Sequence, residues 1–180
     1  MRVISGKARG TSLYSLEGNH TRPTTDRVKE SMFSIINFYI PDGIVLDLFS
    51  GSGALGIEAL SRGAQKCYFV ENSRQAAEVI KKNIDKTKCS ENAVLKVIDY
   101  KAFLNSVDEK FDVIFLDPPY NKKMCDEAMK IIYNRDLLKN DGIIISETEF
   151  PEIITTDFKK KKDYKYGNTK LSVYVKDGLN

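Results

Sequence analysis

LDLFSGSGALGIEAL, residues 46–60, is the stretch that decides the fold. It continues an apolar run, IVLDLF (44–49), of the length and content of a buried strand. Small residues follow, and residues 53–62 then read as a helix that stops near Gly63. A strand that passes through a small-residue turn into a helix opens a βαβ unit. Gly51, Gly53 and Gly56 satisfy G-x-G-x-x-G, and Glu71 ends the next apolar run, CYFVE (67–71), twenty residues after Gly51. An acid at that offset can take both hydroxyls of a ribose.

The same alternation extends outward. Residues 73–87 form an amphipathic helix with Ala76, Ala77, Ile80 and Ile84 inward. AVLKVID (93–99) is a third strand, 100–106 a short helix, VIFLD (113–117) a fourth strand, 123–134 a helix and GIIISE (142–147) a fifth strand. YKYGNTKLSVYV (164–175) reads as a closing antiparallel hairpin, and KKKK (159–162) before it as a solvated turn. Upstream, RVISGKARGTSLYSL (2–16) reads as a short β-hairpin. Pro23 and the Thr24, Thr25, Asp26 cluster start a helix with Val28, Met32, Ile35, Ile36 and Tyr39 on one face. Strands alternating with helices specify an α/β fold on a mostly parallel sheet, with ligands bound beyond the carboxyl ends of the strands.

Bulk properties narrow the class. A chain of 180 residues, 42% hydrophobic and 29% charged, is expected to fold as one globular unit without disulfide staples. The expected division is an N-terminal hairpin extension over 1–20 and a main domain over 21–180. No apolar stretch is long enough to span a bilayer, and MRVISGKARG has no signal-peptide core, so a cytoplasmic protein is expected. Cys67, Cys89 and Cys125 are far apart and odd in number, which fits reduced thiols and no metal site. The net charge of +3 resides in residues 1–30, which hold six basic and three acidic groups, whereas the remainder is balanced. Arg2, Lys7, Arg9, Arg22, Arg27 and Lys29 are thus expected to form a phosphate-facing surface, the alternative being a solvated basic arm.

The glycine turn alone does not choose between a dinucleotide and S-adenosylmethionine. Asp47, on the strand just before the glycines, does. A carboxylate there would repel a pyrophosphate, but it suits the ammonium of S-adenosylmethionine. Asp99 ends the third strand, where it could accept a hydrogen bond from an adenine amino group beside the Tyr100 amide, or simply cap the next helix.

FDVIFLDPPYNKK (111–123) completes the pattern: a strand ends on Asp117, Pro118, Pro119 and Tyr120. An exocyclic amine on a base is a poor nucleophile because its lone pair is delocalised into the ring. Acceptors aimed at its two N–H groups favour a pyramidal nitrogen with its lone pair free to attack a methyl. Asp117 and the Pro118 carbonyl would be those acceptors, held by prolines whose φ is fixed. Tyr120 would stack on the base, worth about 1–3 kcal/mol. Transfer then rests on proximity and orientation, with neither metal nor strong base required.

RPTTDRVKESMF, LDLFSGSGALGIEALSRGA, FVE, DPPY and YGNTKLSVY occur together and in order. The chain thereby resembles the bacterial 16S rRNA guanine-N2 methyltransferases of the RsmD type, over nearly its whole length. The resemblance implies a class I S-adenosylmethionine-dependent methyltransferase: a Rossmann-like, mostly parallel seven-stranded sheet with an antiparallel C-terminal strand. It implies methylation of one guanine of 16S rRNA in a 30S subunit or assembly intermediate. A monomer is expected, because no exposed apolar heptad or stripe stands out in the sequence. Asp47, Phe49, Ser50, Gly51, Ser52 and Gly53 would line the methionine end of the cofactor, Glu71 and Asn72 the ribose, and Asp99 and Tyr100 the adenine. Asp117, Pro118, Pro119 and Tyr120 would form the target-amine site. Arg22, Thr24 and Arg27 would lie over the cofactor or on RNA phosphate, and Arg2, Lys7 and Arg9 would grip the rRNA backbone.

Three alternatives stay open on the sequence. A DNA amino methyltransferase shares DPPY, although 180 residues leave little room for its target-recognition region. A nicotinamide-dependent oxidoreductase explains the glycines only. An inactive RNA-binding assembly factor would have no need of Asp47, Glu71 and Asp117.

Overall fold

In the computed structural model, which describes residues 1–16, 26–119 and 122–178, apolar runs and helical stretches alternate as the sequence requires. In chain order they are α1 (Asp26–Ile35), β1 (Ile44–Asp47), α2 (Ala54–Ser61), β2 (Lys66–Glu71), α3 (Arg74–Lys86), β3 (Ala93–Val97), α4 (Tyr100–Ser106), β4 (Phe111–Leu116), α5 (Lys122–Asn134), β5 (Leu138–Glu149), β6 (Lys159–Tyr166) and β7 (Thr169–Val175). The strands form one seven-stranded sheet in the order β3-β2-β1-β4-β5-β7-β6, parallel except for β7, which runs antiparallel to both neighbours. This is the class I methyltransferase fold. The direction of winding reverses at β1, whose two neighbours are β2 and β4, so a crevice opens at the carboxyl ends of β1 and β4.

Alternate side chains of each strand feed opposite faces. Val45, Phe69, Val113, Phe115 and Ile145 join one core with α1, α2 and α3. Leu46, Val70, Ile114, Leu116 and Ile144 join the other with α4, α5 and the segment holding Ile154 and Phe158. Both faces are covered, which is why the strands read as continuous apolar runs. The three cysteines are buried free thiols. Among the described residues no helix is long and apolar enough to cross a membrane.

Several expectations change. The arm over residues 1–16 turns back on itself antiparallel, with Val3 N donating to Thr11 O, Gly10 N to Val3 O and Leu13 N to Met1 O, but it forms one isolated bridge, Arg2 to Ser12, and no extended strands. Other amides of the arm dock on α2: Ile4 N and Ser5 N donate to Glu58 at 2.8 and 3.0 Å, and Ala8 N to Ser61 Oγ at 2.9 Å. The α1 face shifts: Val28, Lys29, Met32, Phe33 and Ile36 are buried, whereas Ile35 and Tyr39 are half-exposed. Lys29, expected on the basic surface, instead turns inward to a buried ion pair with Glu58, because that acid on α2 neutralises it. The run 159–162 is not a turn; it is the first half of edge strand β6, and the closing hairpin is correspondingly longer than residues 164–175. Pro23, Thr24 and Thr25, the expected start of the first helix, lie outside the described residues.

Candidate active site

Carboxylates gather at the carboxyl ends of four adjacent parallel strands. Asp47 closes β1 and Glu71 closes β2; Asp99 follows β3 and Asp117 follows β4. The turn over residues 48–53 lies among them. Gly51 and Gly53 take left-handed backbone at φ 55° and 79°, and Gly53 N donates to Ser50 O, which tightens the turn into α2. Ser50 Oγ donates to the Asp47 carbonyl at 2.8 Å. Gly56 answers a different need: a Cβ there would lie 2.3 Å from Phe69 Cε1 and 2.7 Å from Cys67 Sγ, so only glycine lets α2 sit this close to β2.

Asp47 is 2% exposed, and its Oδ2 accepts from Gly56 N at 3.0 Å. Burial pushes its carboxyl up to about 7; the Gly56 amide opposes the shift and the nearby Glu71 charge adds to it. Glu71 is fixed by two amides, Gly51 N on Oε2 at 3.0 Å and Ser73 N on Oε1 at 2.8 Å. The twenty-residue offset is therefore a direct hydrogen bond between turn and acid. Asn72 is exposed beside it.

Asp99 caps α4: its Oδ1 accepts from Lys101 N and Ala102 N, so any further role falls to Oδ2. Tyr100 packs its ring 5.1 Å from Phe49, joining the end of β1 to the start of α4. Its hydroxyl donates to Glu127 Oε2 at 2.8 Å, and burial together with that carboxylate holds it protonated well above the usual phenol range. Asp117 and Pro118 are half-buried and Pro119 is exposed. Tyr120, Arg22 and Thr24, also expected in or near the site, lie outside the described residues.

The structure brings Asp47, Ser50, Gly51 and Glu71 into one bonded cluster, with Phe49 and Tyr100 paired beside it. Arg2, Lys7 and Arg9 do not join this cluster. They stand exposed on the arm, Arg2 beside Asp26 at 3.3 Å. Arg27 lies exposed on the first turn of α1, lining a groove shared with Tyr164 and Tyr166 of β6.

Two positions escaped the sequence. Asn83, buried on α3, donates to Ser52 O and Tyr14 O, both at 2.9 Å, and accepts from Tyr14 N at 2.7 Å. It ties the glycine turn to the arm; a polar residue three places after Ile80 on an apolar face was the available signal. Cys125 is buried near Asp117: burial, and then the Asp117, Asp126 and Glu152 charges, push its thiol up to about 12. Nothing in the α5 pattern distinguishes it from an ordinary core cysteine. With its negative groups and a buried carboxylate that resists ionising alone, the cluster suits a ligand carrying positive charge.

A protein-family model described as "Conserved hypothetical protein 95" matches residues 1–175. The chain belongs to this family. It is 40% identical over 185 residues to the Bacillus subtilis protein YlbH, covering 99% of this chain and all of that one. It is 40% identical over 153 residues to the Haemophilus influenzae "Ribosomal RNA small subunit methyltransferase D", covering 83% of this chain and 79% of the relative. The solved Escherichia coli protein yhhF superposes with a TM-score of 0.89 at 30% identity over 99% of both chains. The kinship read from RPTTDRVKESMF and DPPY is with the RsmD type that such relatives represent.

Proposed function

We propose that this protein transfers a methyl group from S-adenosylmethionine to the exocyclic N2 amine of a guanine in 16S rRNA, within a 30S subunit or an assembly intermediate. The observation that carries the reading is the buried Asp47 carboxylate beside Glu71 at the glycine turn. A dinucleotide would bring a pyrophosphate to that turn, against the Asp47 carboxylate. S-adenosylmethionine, when bound, supplies an ammonium for such acids and a methyl on a sulfonium that a nitrogen lone pair can attack. Relatives named as small-subunit rRNA methyltransferases support rRNA as the substrate class.

Each residue then has a task. Asp47 offers charge compensation to the ammonium. Glu71, already oriented by Gly51 N and Ser73 N, keeps lone pairs for ribose hydroxyls. Phe49, at the methionine end, packs on Tyr100, which walls the adenine side, and Asp99 Oδ2 is left for the adenine amino group. Asp117 and the Pro118 carbonyl accept the two N–H groups of the target amine, and Tyr120 stacks on its base. The proton lost by the amine leaves after the new N–C bond forms, so no strong base is needed at Asp117.

The test is methyl transfer from labelled S-adenosylmethionine to undermethylated 30S subunits, naked 16S rRNA and duplex DNA, followed by nucleoside analysis. Label recovered as N2-methylguanosine from the ribosomal substrate is expected. Label in DNA as methylated adenine or cytosine would keep the amine chemistry and overturn the substrate. No label, with cofactor bound, would favour an assembly factor.

A further inference from the structure

A groove of about 610 Å³ runs between α1 and edge strand β6, lined by Arg27, Glu30, Ser31, Ser34 and Ile35 on one side and Tyr164 and Tyr166 on the other. Its strand side is unusual. The sequence of β6, KKKKDYKY, places five lysines and two tyrosines against a single acid, Asp163, which is engaged with Lys160 at 2.9 Å. The register shifts between Lys160 and Lys162. Beyond that irregularity Lys162, Tyr164 and Tyr166 share one face of the strand, with Lys162 Nζ 4.9 Å from the Tyr164 ring centroid. Both tyrosines lean on the core that contains α1, yet remain half-exposed in the groove.

Position adds to composition. Because β7 is antiparallel to both β5 and β6, β6 runs parallel to β4 and ends at the same carboxyl end of the sheet; by register Tyr164 stands level with Asp117 and Tyr166 two residues beyond it. Three strand spacings separate the two strands, about 14 Å. Rings beside a basic track, at this distance from the amine site, match what an unpaired nucleic-acid strand requires: π-faces for bases and cations for phosphates. Lysines on an edge strand also discourage sheet-to-sheet pairing, but that role places neither the two tyrosines nor Arg27 in one groove.

We propose that the α1–β6 groove is a second RNA-binding surface, holding an unpaired stretch of substrate that flanks the target nucleotide. Tyr164 and Tyr166 stack on its bases, and Arg27, Lys162 and the lysines beside it meet its phosphates. This rests on the rRNA reading above and extends it to residues outside the amine site and the N-terminal arm.

The experiment measures KM and kcat on undermethylated 30S subunits across a salt series for the wild-type chain, Lys162→Glu, Tyr166→Leu and Tyr166→Phe. Cofactor calorimetry on each variant checks that the fold is intact. Photocrosslinking of 4-thiouridine-substituted 16S rRNA is run in parallel. Lys162→Glu and Tyr166→Leu are expected to raise KM about tenfold at unchanged kcat and cofactor affinity, with a shallower salt dependence for Lys162→Glu. Tyr166→Phe, which keeps the ring, should behave as wild type, and crosslinks should fall on residues 159–166. Wild-type KM and salt slope in both Lys162→Glu and Tyr166→Leu would overturn the groove alone. RNA crosslinks that all fall outside residues 159–166 would also overturn it. A wild-type chain that neither methylates nor binds the ribosomal substrate would overturn the functional reading first and the groove with it.

Discussion

Lys29 Nζ lies 3.1 Å from Glu58 Oε2, and both side chains are shut off from solvent. Glu58 also accepts from Arg62 Nε at 2.8 Å and from the arm amides of Ile4 and Ser5, while Lys29 donates onward to the Arg2 carbonyl. One buried carboxylate thus ties α1, α2 and the arm together. A buried charge is tolerated only when its partners are in place.

Removing one member of such a pair is costly. Lys29→Met should lower the unfolding free energy by about 3–5 kcal/mol, measured by urea denaturation at neutral pH. An unchanged midpoint would mean that Arg62 and the two amides hold Glu58 without the lysine.

Asp47 should make the ligand-free protein less stable as pH rises. Its folded carboxyl stands at about 7 against 3.8 for an ordinary aspartate, so between these values the folded chain binds more protons than the unfolded one. Stability therefore falls across roughly pH 4 to 7, by a total on the order of 4 kcal/mol from this group. Asp47→Asn should remove that slope in a series of urea midpoints. The same slope in both proteins would assign it elsewhere. In the wild type, S-adenosylmethionine should bind more tightly as pH rises through 7, because its ammonium needs the ionised form.

Glu71→Ala should weaken cofactor binding by about 1.5–3 kcal/mol, the worth of hydrogen bonds to a charged acceptor. The Gly51 amide also loses its partner. Calorimetry that returns the wild-type affinity would exclude Glu71 from the ribose site.

Gly56→Ala should cost about 1–3 kcal/mol of stability. The added methyl meets the fully buried Phe69 ring, which has no room to turn aside. A thermal melt within a degree of wild type would show that α2 can shift away from β2.

Asp117→Ala should abolish methyl transfer and leave cofactor affinity within several-fold, because its task concerns the target amine. Single-turnover assays with saturating cofactor separate the two. Near-wild-type turnover would show that Asp117 does not hold the amine during transfer.

Much of the fold was legible because its signals are local. Apolar runs of strand length alternate with helical faces, and Ala76, Ala77, Ile80 and Ile84 are all buried as their spacing requires. The Gly51–Glu71 relation was legible as an offset, since a βαβ unit of fixed size brings those positions together. Lys29 was not: a lysine beside Val28 reads as a solvated position until a distant acid neutralises it. Nor was the strand at Lys159–Lys162, because a run of lysines carries no β-pattern of its own, and an edge strand has a neighbour on one side only.

The sequence by itself determined the order and type of the elements, the small-residue turn, and the acids at the strand ends. Those follow from side-chain period and from residue chemistry acting over a few neighbours. Only the tertiary structure decided that Glu58 would anchor Ile4 and Ser5 more than fifty residues away, that Asn83 would join Ser52 to Tyr14, and that Arg27 would share a groove with Tyr164 and Tyr166. Such meetings depend on how layers stack around the sheet, and no local pattern records which distant side chain will arrive.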